Sequence, residues 1–184
     1  MELQALIYEA KKGSKAAEEG LYNRLSKKYF RLCMRYVQNE HDAEERMSDG
    51  FYKFFRCLPR FNYESDEELY SFISRIMMNE CITQLRKKRL FNIVAAPLET
   101  DAVLDEDMLD RISETEIHAA IRKLPAGART VFNLNVLEGC RHEEIARLLG
   151  ITSSASRAQL TRAKHLLQRS LSFLKKNDGN QESR

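Results

Sequence analysis

Apolar positions in this chain recur at the three- and four-residue spacing of helices, and no stretch alternates as a strand would. Leu3, Leu6, Ile7 and Ala10 share one stripe that Gly13 ends, with Ser14 placed to cap the next helix. Leu21, Leu25, Tyr29, Leu32, Cys33 and Tyr36 make a second stripe. Asn39 stands as the cap of a third helix, with Asp42 and Glu44 favourably near its positive end. Its apolar side is Ala43, Met47, Phe51, Phe54, Phe55 and Leu58, and Pro59 stops it. A fourth opens on Ser65 and Glu68, spaced as a capping box, and runs through Leu69, Phe72, Ile73, Ile76, Met77, Ile82 and Leu85 into Arg86-Lys87-Lys88-Arg89.

From about Asn92 to Ile112 the period fails, and Pro97, Glu99, Asp101, Asp105, Glu106, Asp107 and Asp110 mark a polar connector. Ser113 and Glu116 then repeat the capping-box spacing ahead of Ile117, Ala120, Ile121 and Leu124. Pro125 starts another helix, carrying Val131, Phe132, Leu134 and Leu137 to Gly139, and two more come after it. The expectation is an all-α protein of two small helical domains. A helical bundle over 1–91 and a four-helix domain over 113–176 are joined by a flexible acidic linker over 92–112, with a disordered tail over 177–184.

Composition agrees with that class: 184 residues, 43% apolar and 31% charged, with three Pro, seven Gly and no Trp. No apolar run approaches the ~20 residues that span a bilayer, and Met1-Glu2-Leu3-Gln4 opens no export signal. A cytoplasmic protein without membrane insertion is expected. Cys33, Cys57, Cys81 and Cys140 are scattered without a Cys-x-x-Cys pair, as expected of free thiols in a reducing compartment. The four His are equally dispersed, so neither a metal nor a cofactor is expected. No nucleophile–base pair, glycine-rich phosphate loop or carboxylate constellation marks an enzyme.

The net charge of +3 conceals segregation. Residues 1–91 carry +3, residues 92–121 carry −7 and residues 122–176 carry +8. A basic block behind an acidic bridge suits a polyanion-binding module, although a solvated basic helix face would show the same charge. The residues within that block decide the matter. Ile145, Ala146, Leu149, Gly150 and Ile151 have helix-turn-helix spacing, with Ala146 small at the crossing and Gly150 free to take a left-handed turn. The second helix would then present Ser153, Ser154, Ser156, Arg157 and Gln159 to base edges, with Arg162 and Lys164 further along on phosphates. The competing reading is an ordinary helical hairpin. The basic flank and the Ser/Arg/Gln face favour DNA.

Leu124-Pro125, Arg129, Val131-Phe132, Leu134, Glu138-Gly139, Glu144-Ile145-Ala146, Leu149-Gly150, Leu160 and Arg162-Ala163-Lys164 together resemble region 4 of extracytoplasmic-function (ECF) sigma factors, of the sigma-70 family. These are promoter-recognition subunits of bacterial RNA polymerase. The resemblance implies that the helix-turn-helix reads the upstream (−35) element through the seven residues just named, from Ser153 to Lys164. The run Ser153-Ser154-Ala155-Ser156-Arg157-Ala158-Gln159 replaces the Gly-Thr-Val-Lys-Ser-Arg run of many members.

The first 91 residues carry a second resemblance. Asp42-Ala43-Glu44-Glu45 and Asp49-x-Phe51 are similar to the family's polymerase-docking helix, with Ser48 where Gln is usual. The resemblance implies contact with the clamp helices of the largest polymerase subunit through Asp42, Glu45, Asp49 and Phe51. Phe72-Ile73, Ile76-Met77, Asn79 and Leu85-Arg86 resemble the melting region, with Phe72 replacing Trp and Thr83 standing where Asp is common. Arg60, Phe61, Asn62 and Tyr63 of the preceding loop, with Arg75, Asn79, Arg86 and Lys87, would then take the downstream (−10) element. Ring, amide and cation together suit a flipped base and its phosphate.

The implied function is a transcription initiation factor with no chemistry of its own, monomeric when free. It would partner core RNA polymerase (clamp helices and flap), promoter DNA and an anti-sigma factor. Two alternatives share features: an activator of the response-regulator or quorum-sensing type, and a decoy that titrates a sigma inhibitor. The first usually has an α/β partner domain, of which residues 1–91 show no sign; the second needs no basic recognition face. The linker expectation is directly checkable. Limited proteolysis of the full chain is expected to cut between about Asn92 and Ile112 and release two folded pieces, whereas a resistant chain would contradict it.

Overall fold

The computed structural model of the protein describes residues 2–87 and 113–178, in two compact units, Met1–Lys88 and Arg89–Arg184. The connector expected over 92–112 lies outside the described residues, as do Lys88, Arg89 and the tail from 179.

The first unit is built from α1 (Leu3–Lys11), α2 (Lys15–Val37), α3 (Glu40–Cys57), a 3-10 turn (Leu58–Arg60) and α4 (Asp66–Lys87). The caps act where their side chains can replace missing helix bonds. Ser14 Oγ accepts from the Ala17 N–H at 3.3 Å, after Gly13 has turned the chain at φ +89°. Asn39 Oδ1 accepts from the Asp42 N–H at 2.7 Å, and its Nδ2 donates to Asp42 Oδ2 at 2.6 Å. Of the expected box at α4, Ser65 Oγ accepts from the Glu68 N–H at 3.2 Å. The buried stripes are those of the sequence: Leu3, Leu6, Ile7 and Ala10 on α1, and Leu21, Leu25, Tyr29, Leu32, Cys33 and Tyr36 on α2.

Helices α3 and α4 meet at Gly50. A Cβ there would overlap Met77 Sδ and stand 2.9 Å from Met77 Cε, so the thioether fills the place of the missing side chain. Beside this contact Lys53 Nζ donates to Glu80 Oε1 at 2.6 Å, pairing a carboxylate that is only 8% exposed. All four cysteines are free, Cys33 and Cys81 within this core.

The second unit comprises α5 (Glu114–Lys123), α6 (Ala126–Phe132), a π-helical stretch (Asn133–Leu137), α7 (His142–Leu149) and α8 (Ser153–Asp178). The Ser113 box is complete: Ser113 Oγ accepts from the Glu116 N–H at 3.3 Å, and Glu116 Oε2 accepts from the Ser113 N–H at 2.9 Å. Those bonds hold the Glu116 carboxyl below its usual pKa. Its core gathers Ile121, Leu124, Ala128 and Phe132 against Ala163, Leu167 and Leu171 of α8.

Two details depart from the sequence reading. The helix expected from Pro125 to Leu137 widens after Phe132 into the π stretch, and the buried run from Ala128 to Leu134 passes through that change. In addition, α8 runs to Asp178, past the expected end of the domain.

The Gly50 contact yields a test. Gly50→Ala gains about 1 kcal/mol of helix propensity but overpacks Met77, at about 1–3 kcal/mol. A net loss of stability is expected in urea unfolding, and part of it should vanish in the Met77→Ala background, where the clash is gone.

Candidate nucleic-acid interface

The turn of the second unit forms as its residues dictate. Gly150 ends α7 at φ +68°, ψ +38°, and the Ile151 N–H reaches back to Ala146 O at 3.0 Å. Ile145 and Leu149 are buried beneath it. At the start of α7, the Arg141 N–H is accepted by Glu144 Oε2 at 3.0 Å. Arg129 is 3% exposed, and its guanidinium donates to Leu124 O at 2.9 Å, closing the end of α5. Burial alone lowers its pKa, to about 10, so it remains charged at neutral pH.

The phase of α8 corrects the expected recognition face. Ser156 is fully buried, and its Oγ lies 2.9 Å from His142 Nδ1. Gln159 is 7% exposed and turned inward, its amide in reach of a Cβ at Gly127. Neither presents its side chain to a groove, because the apolar stripe Ala163, Leu167 and Leu171 sets which side of α8 faces the core, and positions 156 and 159 lie on that side. Ser154 and Arg157 are exposed, while Ser153, Arg162 and Lys164 are half-buried. Arg157 Nη1 lies 3.7 Å from Glu143 Oε1 of α7, a pairing absent from the sequence reading. Ala158, also exposed beside Arg157, was missed because Ala carries no polar signal.

In the first unit, Arg75, Asn79 and Arg86 are exposed at spacings that align them along one side of α4, and Lys87, also exposed, is the next residue round the helix. Arg60 and Asn62 are exposed in the segment before it, where Asn62 Nδ2 donates to Glu64 Oε1 at 3.1 Å. Phe61 is half-buried and stacks on Phe72, centroids 4.7 Å apart and planes 22° apart. Phe72 in turn meets Phe54 edge-on at 6.3 Å. The Tyr63 hydroxyl donates to Asp66 Oδ1, and that bond raises the phenol to about 12. The loop is thus held at both ends, with one ring face pinned against a second ring.

On α3 the expected docking residues divide. Phe51 is 2% exposed and stands among Tyr22, Tyr29, Phe54 and Phe55, with centroids from 4.9 to 6.5 Å. Phe51 therefore anchors the helix and offers no surface to a partner. Asp42 is engaged by Asn39. Glu45 is exposed and Asp49 half-buried, and Arg46 between them pairs with both, its guanidinium 3.0 Å from Asp49 Oδ2. The sequence reading overlooked Arg46, although its i,i+3 spacing to Asp49 is the signal that would have found it. Among the described residues no three His, Cys, Asp or Glu could hold a metal ion, and no helix is long and apolar enough to cross a membrane.

A helix-turn-helix unit, together with a bundle that carries a basic, aromatic-edged face, defines a DNA-binding protein of the transcription machinery. Residues 21–91 match the family described as Sigma-70 region 2, and residues 114–167 match Sigma-70, region 4. The chain belongs to the sigma-70 family, as an ECF-type transcription initiation factor. The RNA polymerase sigma-H factor of Pseudomonas aeruginosa is 25% identical over 91% of this chain and 93% of its own. The ECF RNA polymerase sigma factor SigW of Bacillus subtilis is 24% identical over 93% of this chain and 97% of its own. The sigma factor RpoE of Bartonella quintana, solved in complex with the anti-sigma factor NepR, shares the fold at a TM-score of 0.50 and 18% identity, over 84% of this chain and 96% of that one.

The inward turn of Ser156 can be measured. Ser156→Ala leaves the His142 ring nitrogen without its partner and is expected to destabilise the second unit by about 1–2 kcal/mol. Ser154→Ala is expected to change stability by less than about 0.5 kcal/mol. Hydrogen exchange at the amides of α7 and α8 in the full chain reads both.

Proposed function

We propose that the two units read the two promoter elements separately while α3 docks on core RNA polymerase. The observation that carries this is the pinned Phe61–Phe72 pair beside the exposed side of α4 bearing Arg75, Asn79, Arg86 and Lys87. An aromatic face, an amide and several cations suit an unpaired base with its backbone, as separation of the strands at the −10 element would supply. Arg60 and Asn62 extend the same surface. In the second unit Ser153, Ser154, Arg157, Arg162 and Lys164 take the −35 element, with Arg157 on a base edge and Lys164 on phosphate.

Docking on the polymerase falls to Glu45 and Asp49. Basic residues of the polymerase clamp would have to share or displace Arg46, so the contact depends on salt. The factor contributes charge and shape to initiation and carries out no reaction of its own. It works in the cytoplasm, where polymerase and promoter are. An anti-sigma factor is its expected inhibitor, by analogy with the complexed relative, and the free protein is a monomer.

Reconstitution with core polymerase on genomic fragments, followed by mapping of transcript starts, tests the reading as a whole. The expected outcome is a small set of starts that share upstream sequences. Glu45→Lys with Asp49→Lys should weaken competition for core about tenfold or more, as two attractions become repulsions. Arg157→Ala should relax base preference at one upstream position, worth about 1–3 kcal/mol, and Lys164→Ala should lower output evenly. Starts scattered without shared sequence would refute it.

A further inference from the structure

Helix α1 lies outside the segment that matches Sigma-70 region 2, which begins at residue 21. Its inner side, Leu3, Leu6, Ile7 and Ala10, is nevertheless buried. Its last residue, Lys11, reaches fifty positions along the chain: Lys11 Nζ donates to the Phe61 main-chain oxygen at 2.8 Å, in a half-buried setting. Phe61 is the residue whose ring stacks on Phe72, and the Phe61 N–H is itself held by Leu58 O at 3.1 Å. Both main-chain groups of Phe61 are therefore fixed, one by the preceding turn and one by Lys11. With the peptide planes set on either side, the Phe61 Cα–Cβ bond is aimed at Phe72, and the stack on that ring sets the orientation.

We propose that Lys11 is a positioning residue for the capture of an unpaired base. Its ammonium locks the Phe61 backbone, and through it the ring that a base would stack on, without touching DNA. This rests on the proposed assignment of Phe61 to the single-stranded −10 element. A charged donor on a half-buried carbonyl is stronger than a neutral one and leaves the loop less freedom to lose on binding. The sequence motif lacks Lys11 because the contact joins residues fifty apart, through an atom every residue possesses.

Three variants of the full chain, each assembled with core polymerase, test the idea. The probe is the single non-template strand of a promoter selected on the parental holoenzyme, with 2-aminopurine at positions of the downstream element. Lys11→Met keeps the aliphatic stem and removes the donor; it is expected to weaken binding of this strand about three- to tenfold, roughly one hydrogen bond. Affinity for core polymerase and for duplex upstream DNA should stay unchanged. Lys11→Arg should restore binding, and Lys11→Met should add little in a Phe61→Ala background, since the ring it positions is gone. Should Phe61→Ala itself bind the strand as well as the parent, the assignment of Phe61 to that element fails. If Phe61→Ala weakens binding but Lys11→Met does not, the positioning role alone is overturned. A fall of about one unit in the salt slope for Lys11→Met would overturn it differently, by making Lys11 a direct phosphate contact. A loss that Lys11→Arg does not restore, with a lower melting temperature, would leave only a structural role and also overturn it.

Discussion

Helices α3 and α4 lie as close as they do because position 50 has no side chain and Met77 occupies the vacated volume. Both exposed surfaces of the first unit hang on that approach. The acidic side of α3, with Glu45 and Asp49, and the basic side of α4, from Arg75 to Lys87, are carried by two helices packed on one line of contact. Rings continue the line outward: Phe51 to Phe54, Phe54 to Phe72, and Phe72 to Phe61 at the loop. Each aromatic pair is worth about 0.5–1.5 kcal/mol beyond the area it buries. The loop ring is thus the last member of a row that begins in the core.

The helices were legible because their signals are local. Ser14, Asn39 and Ser113 cap within three residues of themselves, and the stripes on α1 and α2 need only the helical period. The family, too, was legible, because its motifs are runs of a few residues. What escaped depends on atoms distant in sequence. Ser156 and Gln159 look like readers of DNA when judged by polarity alone; only packing against His142 and near Gly127 reveals that they face inward. Phe51 sits in a docking motif, yet Tyr22 and Tyr29 of α2 had to pack against its ring before it was seen to be core. Gly50 has no local reason to be glycine, whereas the i,i+3 pairing of Arg46 with Asp49 is a local signal that was passed over. The π stretch from Asn133 to Leu137 has no local signal of its own, since its residues continue the apolar spacing of the helix before it.

Polar groups inside the second unit are matched to specific orphan acceptors. Arg129 remains charged while buried, and its guanidinium donates to the carbonyl of Leu124, where the helix dipole is negative. An apolar replacement would leave that carbonyl unpaired in a dry site. The bond therefore helps to fix the direction in which α6 leaves α5.

The contact between His142 and Ser156 has a geometric consequence. Helices α7 and α8 are two sides of a triangle with its apex at Gly150, and the 2.9 Å contact joins them away from that apex. A triangle braced in this way resists opening at its corner, by about the 0.5–1.5 kcal/mol that one hydrogen bond is worth. The motif is therefore braced at two places, the turn and the His142–Ser156 contact. What remains free to move is the long side chains on its edge, Arg157, Arg162 and Lys164, more than the frame that carries them.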